Sequence, residues 1–231
     1  MSVSPIAAMF DRISPKYDVL NHLLSLNIDK MWRRKTAKAA SKNHPETILD
    51  LATGTADLAI ALAKRNPQAH IIGMDISEKM LEIGKVKTAK KRLNHQIELQ
   101  IGDAAALPFE DNTFDAVTVA FGVRNFENLK KGLSEISRVL KPDGQAVILE
   151  FSMPEKFPVK QLYRFYFKHL LPFIGKLISK DKSAYSYLPD SVEKFPKPNA
   201  FSDLLASFGL DQCGIKRLSF GIATLYISKK E

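Results

Sequence analysis

Apolar and polar positions along this chain alternate between two periods. Ile48 to Ala52 is a short apolar run with no charge before Asp50, the pattern of a strand buried on both faces. Gly54 follows and allows a sharp turn, after which Leu58, Ile60, Ala61 and Leu62 supply the apolar face of a helix. His70 to Ser77 is a second strand, and Ser77 with Glu78 reads as the N-cap and first turn of a helix that begins with Met80, Leu81, Ile83 and Gly84. The pattern continues as strand Gln96 to Asp103, strand Phe114 to Phe121, helix Asn128 to Leu140, a KPDG turn and strand Gln145 to Ser152. A helix near Phe201 to Phe208 precedes two closing strands, Leu210 to Leu218 and Ala223 to Ser228. Strand and helix in regular alternation predict a parallel sheet covered on both faces. The short FGIA connection can join the closing strands only as an antiparallel hairpin.

The rest of the chain divides around this core. Residues 1 to 44 read as a helical cap, 45 to 152 as the alternating core, 153 to 197 as an insertion and 198 to 231 as the closing helix and hairpin, all within one domain. A chain of 231 residues, 45% hydrophobic and 26% charged, can bury a full core. One cysteine, Cys213, excludes an internal disulfide, and the five histidines lack ligand spacing, so no metal site is expected. No signal-peptide pattern opens the chain and no run of 18 apolar residues occurs, so a cytoplasmic location is expected. The net charge of +9 invites an anionic partner.

The turn after the first strand carries the chemistry. Asp75 stands 21 residues beyond Gly54 at the end of the next apolar run, where a carboxylate can accept both hydroxyls of a ribose. The dinucleotide pattern GxGxxG is absent, and Asp50 just before the turn would repel a pyrophosphate. An acid in that position suits a cationic cofactor, and S-adenosylmethionine carries an ammonium and a sulfonium. This chemistry, with the predicted topology, suits an α/β fold of the class I methyltransferase type: a mostly parallel seven-stranded sheet, helices on both faces, and a C-terminal antiparallel hairpin.

Four segments carry a more specific likeness. FDRISPKYDVLNHLLSLNIDKMW (Phe10 to Trp32), FGVRN (Phe121 to Asn125), RVLKPDGQAVILEFS (Arg138 to Ser152) and AYSYLPDSVEKFP (Ala184 to Pro196) resemble, in order, segments of the quinone-biosynthesis C-methyltransferase family. Members of that family methylate demethylmenaquinol and, in some cases, the ubiquinol precursor. The resemblance implies an enzyme that uses S-adenosylmethionine to methylate a ring carbon of a prenylated hydroquinone. It implies that Gly54 and Thr55 hold the amino-acid portion of the cofactor, Asp75 the ribose, and Asp103 with Ala104 the adenine. It points to Arg124, Asn125 and Tyr17 as the catalytic group, with Arg124 stabilising a developing phenolate or a water that acts as base. An arginine stays protonated and is no base itself. The chain departs from the family pattern at Leu20, Asp29, Thr53, Ala56 and Asp143. Leu20 preserves volume, Asp143 lies in a turn that suits Asp, and Asp29 removes the family's histidine. Ala56 is tolerable as a helical residue provided that no positive φ is needed there.

Phe157 to Lys180 is the second informative stretch. Counted from residue 155 to 180, aromatic and aliphatic residues interleave with six bases, Lys156, Lys160, Arg164, Lys168, Lys176 and Lys180, against one acid, Glu155. The pattern fits an interfacial helix on an anionic membrane and equally a helical lid over the sheet. Nucleic acid is not the expected partner, because RNP-like aromatic strands are absent and the bases cluster on one apolar segment. The alternatives are a small-molecule O- or N-methyltransferase of the same fold, or a basic RNA-binding methyltransferase.

Overall fold

A computed structural model of the chain describes residues 4–166 and 182–231. Two helices, α1 (Pro5–Leu24) and α2 (Ile28–Ala40), precede an alternating run: β1 (Thr47–Leu51), α3 (Asp57–Ala63), β2 (His70–Asp75), α4 (Glu78–Lys90), β3 (Ile97–Ile101), β4 (Phe114–Ala120), α5 (Leu129–Val139) and β5 (Leu140–Phe151). The chain continues through α6 (Val159–Phe165), α7 (Lys182–Lys194), α8 (Pro198–Ala206), β6 (Leu210–Leu218) and β7 (Ala223–Lys230). Residues 167 to 180 of the interleaved basic and aromatic stretch lie outside the described residues, so α6 is its described part.

The seven strands form one sheet in the order β3-β2-β1-β4-β5-β7-β6. The first five run parallel, while β7 pairs antiparallel with both β5 and β6. The expected hairpin is therefore present, with its second strand inserted beside β5. Period-two alternation distributes the core over both faces. Ile48 of β1 and Val147 and Leu149 of β5 join one buried cluster, with Leu58 and Leu62 of α3. Leu49 and Leu51, Ala146 and Ile148 join the other, against Leu133 and Ile136 of α5 and Phe201 of α8.

Side chains cap two of the helix starts, the expected one at Ser77 and a second at Asn128. Ser77 Oγ accepts from the Met80 N–H, and Asn128 Oδ1 from the Lys131 N–H. One boundary differs from expectation. The KPDG turn does not separate α5 from its strand: Leu140 already pairs with Phe114, the register then shifts, and pairing resumes at Gln145. Asp143 takes a φ of 63° in this bulge, which an Asp tolerates better than most residues. Because β1 sends its chain to β2 on one side and neighbours β4 on the other, a crevice opens beyond the strand ends there, where open α/β sheets bind ligands.

Candidate active site

The loop after β1 is wound tightly. Ala52, Gly54 and Ala56 all have positive φ, at 51°, 56° and 66°. The condition attached to Ala56 is thus not met: it is the left-handed N-cap of α3, at a conformation that costs a non-glycine residue about 1 kcal/mol. Asp50 supports the loop from beneath. Its carboxylate accepts from Thr53 Oγ1 and from Thr118 Oγ1 of β4, each at 2.7 Å, and the side chain is buried. Burial pushes the Asp50 carboxyl up to about 6, against the pull of the two hydroxyls. Asp50 therefore braces the turn rather than lining the pocket above it.

That pocket is edged by Gly54, Asp75, Ile76, Met80, Asp103 and Ala104. Asp75 accepts from the Gly54 N–H at 2.8 Å and from the Ser77 N–H at 2.9 Å. Burial raises its pKa and these backbone donors oppose the rise. The Ile76 N–H opposes the rise as well. A carboxylate offers about four acceptor positions, more than these three donors fill, so it can still accept from a ligand hydroxyl. Asp103 is exposed, and its Oδ1 accepts from the Ala105 N–H, while the Ala104 N–H has no partner among the described residues. A Cβ built on Gly54 would meet no atom within 4 Å, so the backbone there borders open space that a side chain would fill. A carboxylate for vicinal hydroxyls, a carboxylate beside a free N–H for an adenine edge, and apolar walls at Ile76 and Met80 together fit S-adenosylmethionine.

Helix α1 closes this edge through polar contacts. Ser77 Oγ donates to Asp11 at 2.6 Å, and Thr55 Oγ1 donates to Asp18 at 2.6 Å. Lys87 Nζ of α4 bridges Asp18, Thr55 and Asp57. The Thr55 hydroxyl is thus committed to anchoring α1, leaving its backbone for the cofactor role implied by resemblance.

Beyond α1 lies a larger cavity of about 420 Å³. Met9, Leu20 and Leu24 of α1, Ile28 and Trp32 of α2, Leu162 of α6 and Leu188 of α7 make most of it apolar. Phe10, Tyr17 and Phe121 line both spaces and so mark where they meet. Phe121 holds a φ of 60°, an unusual conformation for a bulky side chain and one found where a local strain serves a site. Its ring stacks on Phe151 with centroids 4.4 Å apart. Tyr17 is a phenol at this junction; burial raises its pKa, while Arg33, a hydrogen bond from Asn21 and Arg124 pull it back.

The expected catalytic residues are divided between the spaces. Asn125 lines the polar pocket and Arg124 the apolar cavity, on the short 3-10 turn Val123–Asn125 that follows β4. Tyr187 Oη of α7 donates to Asn125 Oδ1 at 2.9 Å and so ties the two. Arg124 is not a surface group: its Nη1 donates to Glu150 at 2.7 Å and to the Phe121 carbonyl, and its Nε to Ser191 at 3.3 Å. Glu150 is fully buried; burial drives its pKa up and the guanidinium opposes that.

Sequence reasoning passed over Glu150, Asp18, Lys87 and the Asp29–Arg33 pair. Glu150 had a visible signal, a lone acid inside the apolar strand AVILEF. The Asp29–Arg33 pair had one too, an acid and a base four residues apart on one helix. Asp18 and Lys87 had none, because they meet only once α1 packs on α4. Among the described residues, no His, Cys, Asp and Glu cluster could hold a metal.

Comparisons with known proteins agree with this architecture. The profile described as the ubiE/COQ5 methyltransferase family matches residues 2–230. The chain is 48% identical over 225 residues to a demethylmenaquinone methyltransferase of Bacteroides fragilis, covering 97% of this chain and 92% of that one. It is 46% identical to the ubiquinone/menaquinone biosynthesis C-methyltransferase UbiE of Geobacter sulfurreducens, covering 97% and 88%. Among solved structures it is similar in fold to an S-adenosylmethionine-dependent methyltransferase of Thermotoga maritima described as a possible histamine N-methyltransferase. That match has a TM-score of 0.68 at 15% identity and covers 98% of this chain and 100% of the other.

Proposed function

The chain belongs to the ubiE/COQ5 methyltransferase family, and from that premise we infer that it methylates a ring carbon of a prenylated hydroquinone, demethylmenaquinol first among them. The observation that carries this reading is the meeting of an acid-edged pocket with an apolar cavity at Phe10, Tyr17 and Phe121. When bound, S-adenosylmethionine supplies an electrophilic methyl group: the carbon–methyl bond forms as the sulfur–methyl bond breaks, and the ring proton leaves to water. Asp75 takes the ribose hydroxyls, Asp103 and the Ala104 N–H take the adenine, and the backbone at Gly54 and Thr55 borders the amino-acid portion. Asn125 and Tyr17 border the reacting carbon. Arg124, fixed by Glu150, presents positive charge toward the oxygen on which phenolate character builds. Holding both reactants in line at this junction supplies about 7 to 11 kcal/mol of barrier reduction when alignment is good.

The prenyl tail extends through the cavity mouth, where Leu26, Ile28 and Leu162 line the cavity and are also exposed. Phe157 is 80% exposed beside Lys156 and Lys160. Apolar side chains flanked by bases suit the surface of an anionic bilayer, at which a cytoplasmic enzyme would meet its substrate. No helix among the described residues is long and apolar enough to cross a membrane. The test is transfer of labelled methyl from S-adenosylmethionine to reduced demethylmenaquinone, read as label in the organic extract. Label should appear there with the quinol and not without it; absence of transfer contradicts the reading.

A further inference from the structure

Two guanidinium groups face the apolar cavity, and the protein uses their donors very differently. A guanidinium offers five N–H donors. Arg124 commits its Nη1 to Glu150 and the Phe121 carbonyl and its Nε to Ser191. Arg33 of α2 commits Nη1 to Asp29, and its other donors have no partner among the described residues. Its side chain is 11% exposed, and its guanidinium carbon lies 5.4 Å from the centroid of Phe121, the ring that lines both spaces. A nearly buried cation with unused donors in an apolar cavity is costly unless something accepts from it.

The placement of Arg33 is itself braced. Asp29 is buried and accepts from Ser25 Oγ at 2.6 Å, and His22 Nδ1 stands 2.9 Å from its other oxygen. Burial pushes the Asp29 carboxyl up, but Ser25, Arg33 and His22 more than offset this and hold it below its ordinary value. The carboxylate is therefore charged and fixed, and the guanidinium it holds is fixed with it. On the reading that the substrate is a hydroquinone, we propose that Arg33 binds the substrate: its unused N–H donors take the phenolic oxygen at the junction and favour the phenolate, the proton leaving to water. Asp29 is a positioning residue that acts through Arg33. Around Arg33 the titratable groups facing the cavity are Tyr17, Asp29, Arg124, Tyr163, Tyr166 and Tyr187.

The test uses 1-naphthol, which presents a phenolic hydroxyl on a fused ring without a tail and absorbs differently when ionised. Bound to the full-length protein with S-adenosylhomocysteine, it should ionise at lower pH than free in solution. Arg33→Met should raise the pH of that ionisation by about one unit and weaken naphthol binding roughly tenfold. Arg33→Lys, which keeps the charge but loses the planar fork, should retain most of the ionisation shift and less of the affinity. The double variant Asp29→Asn, Arg33→Met removes both buried charges together, so it carries the test should the single variant unfold around an unpaired Asp29. Failure of the wild type to bind 1-naphthol, or the same ionisation in wild type, Arg33→Met and the double variant, overturns the proposal. Turnover of demethylmenaquinol measured in parallel separates the two claims. No turnover with the ionisation shift intact sinks the hydroquinone reading alone, and turnover with no shift sinks the role of Arg33 alone.

Discussion

The acid-edged pocket and the apolar cavity share three residues and are otherwise built from opposite materials. The pocket is edged chiefly by loops at the ends of adjacent strands, and the groups that suit the cofactor are backbone N–H groups and carboxylates whose positions follow from the sheet. The cavity is made chiefly by α1, α2, α6 and α7, and its two cations, Arg33 and Arg124, are each tethered to one buried acid. A strand end places a carboxylate by topology. A helical wall must place a charge by pairing it. The pocket should therefore respond to substitutions through ligand affinity, and the cavity through stability and turnover.

The sharpest way to break that contrast is Glu150→Ala. It leaves the Arg124 guanidinium buried with one carbonyl and one hydroxyl partner, and the loss should be about 3 to 5 kcal/mol of stability, read by urea denaturation. Turnover should fall with it, whereas cofactor affinity of the folded fraction should hold. A stability loss below 1 kcal/mol would mean that the pair is not what fixes the cavity wall.

Asp50 tests the other side, since it braces the pocket from below without touching it. Its carboxyl is raised to about 6, so the folded state holds a proton that the unfolded state has released. That stabilisation is complete below the ordinary carboxylate pKa and is lost as pH rises to about 6. Asp50→Asn removes the dependence. Relative to wild type the variant should gain of order 2 to 3 kcal/mol between about pH 4 and pH 6. Parallel stability profiles for the two proteins across that window would show that Asp50 stays ionised throughout.

Asp75→Asn keeps an acceptor but removes the charge. Cofactor affinity should fall by about 1.5 to 3 kcal/mol by titration calorimetry, with little change in binding of an apolar quinol analogue. An equal loss at both sites would erase the distinction between the two spaces. The smallest effect belongs to Ala56→Gly, which relieves the φ of 66° and should stabilise the fold by no more than about 1 kcal/mol at unchanged activity.

Legibility in the sequence follows the same division. The strand pattern, the turn at Gly54, the acid at Asp75 and the cap Ser77 could be read directly, because each depends on neighbours within a few residues. Asp50 was legible as an acid beside the turn, but not as a group beneath it, since that depends on Thr118 of β4. Ala56 looked helical from its surroundings, whereas its left-handed φ is imposed by the loop that it ends. In the sequence Arg33 is one base of a basic stretch with Lys30, Arg34, Lys35 and Lys38. Its meaning comes from Asp29, four residues earlier, and from Phe121, which no local pattern links to it. The arrangement of the cavity depends on where α1 and α2 lie across the sheet, which is decided by tertiary packing.

The central claim is methylation at carbon, and the site of the new bond tests it most directly. With S-adenosylmethionine carrying a carbon-13 methyl group and reduced demethylmenaquinone, the account predicts a single labelled product whose carbon-13 resonance lies in the aryl-methyl range. A labelled resonance in the methoxy range would show transfer to oxygen and contradict it.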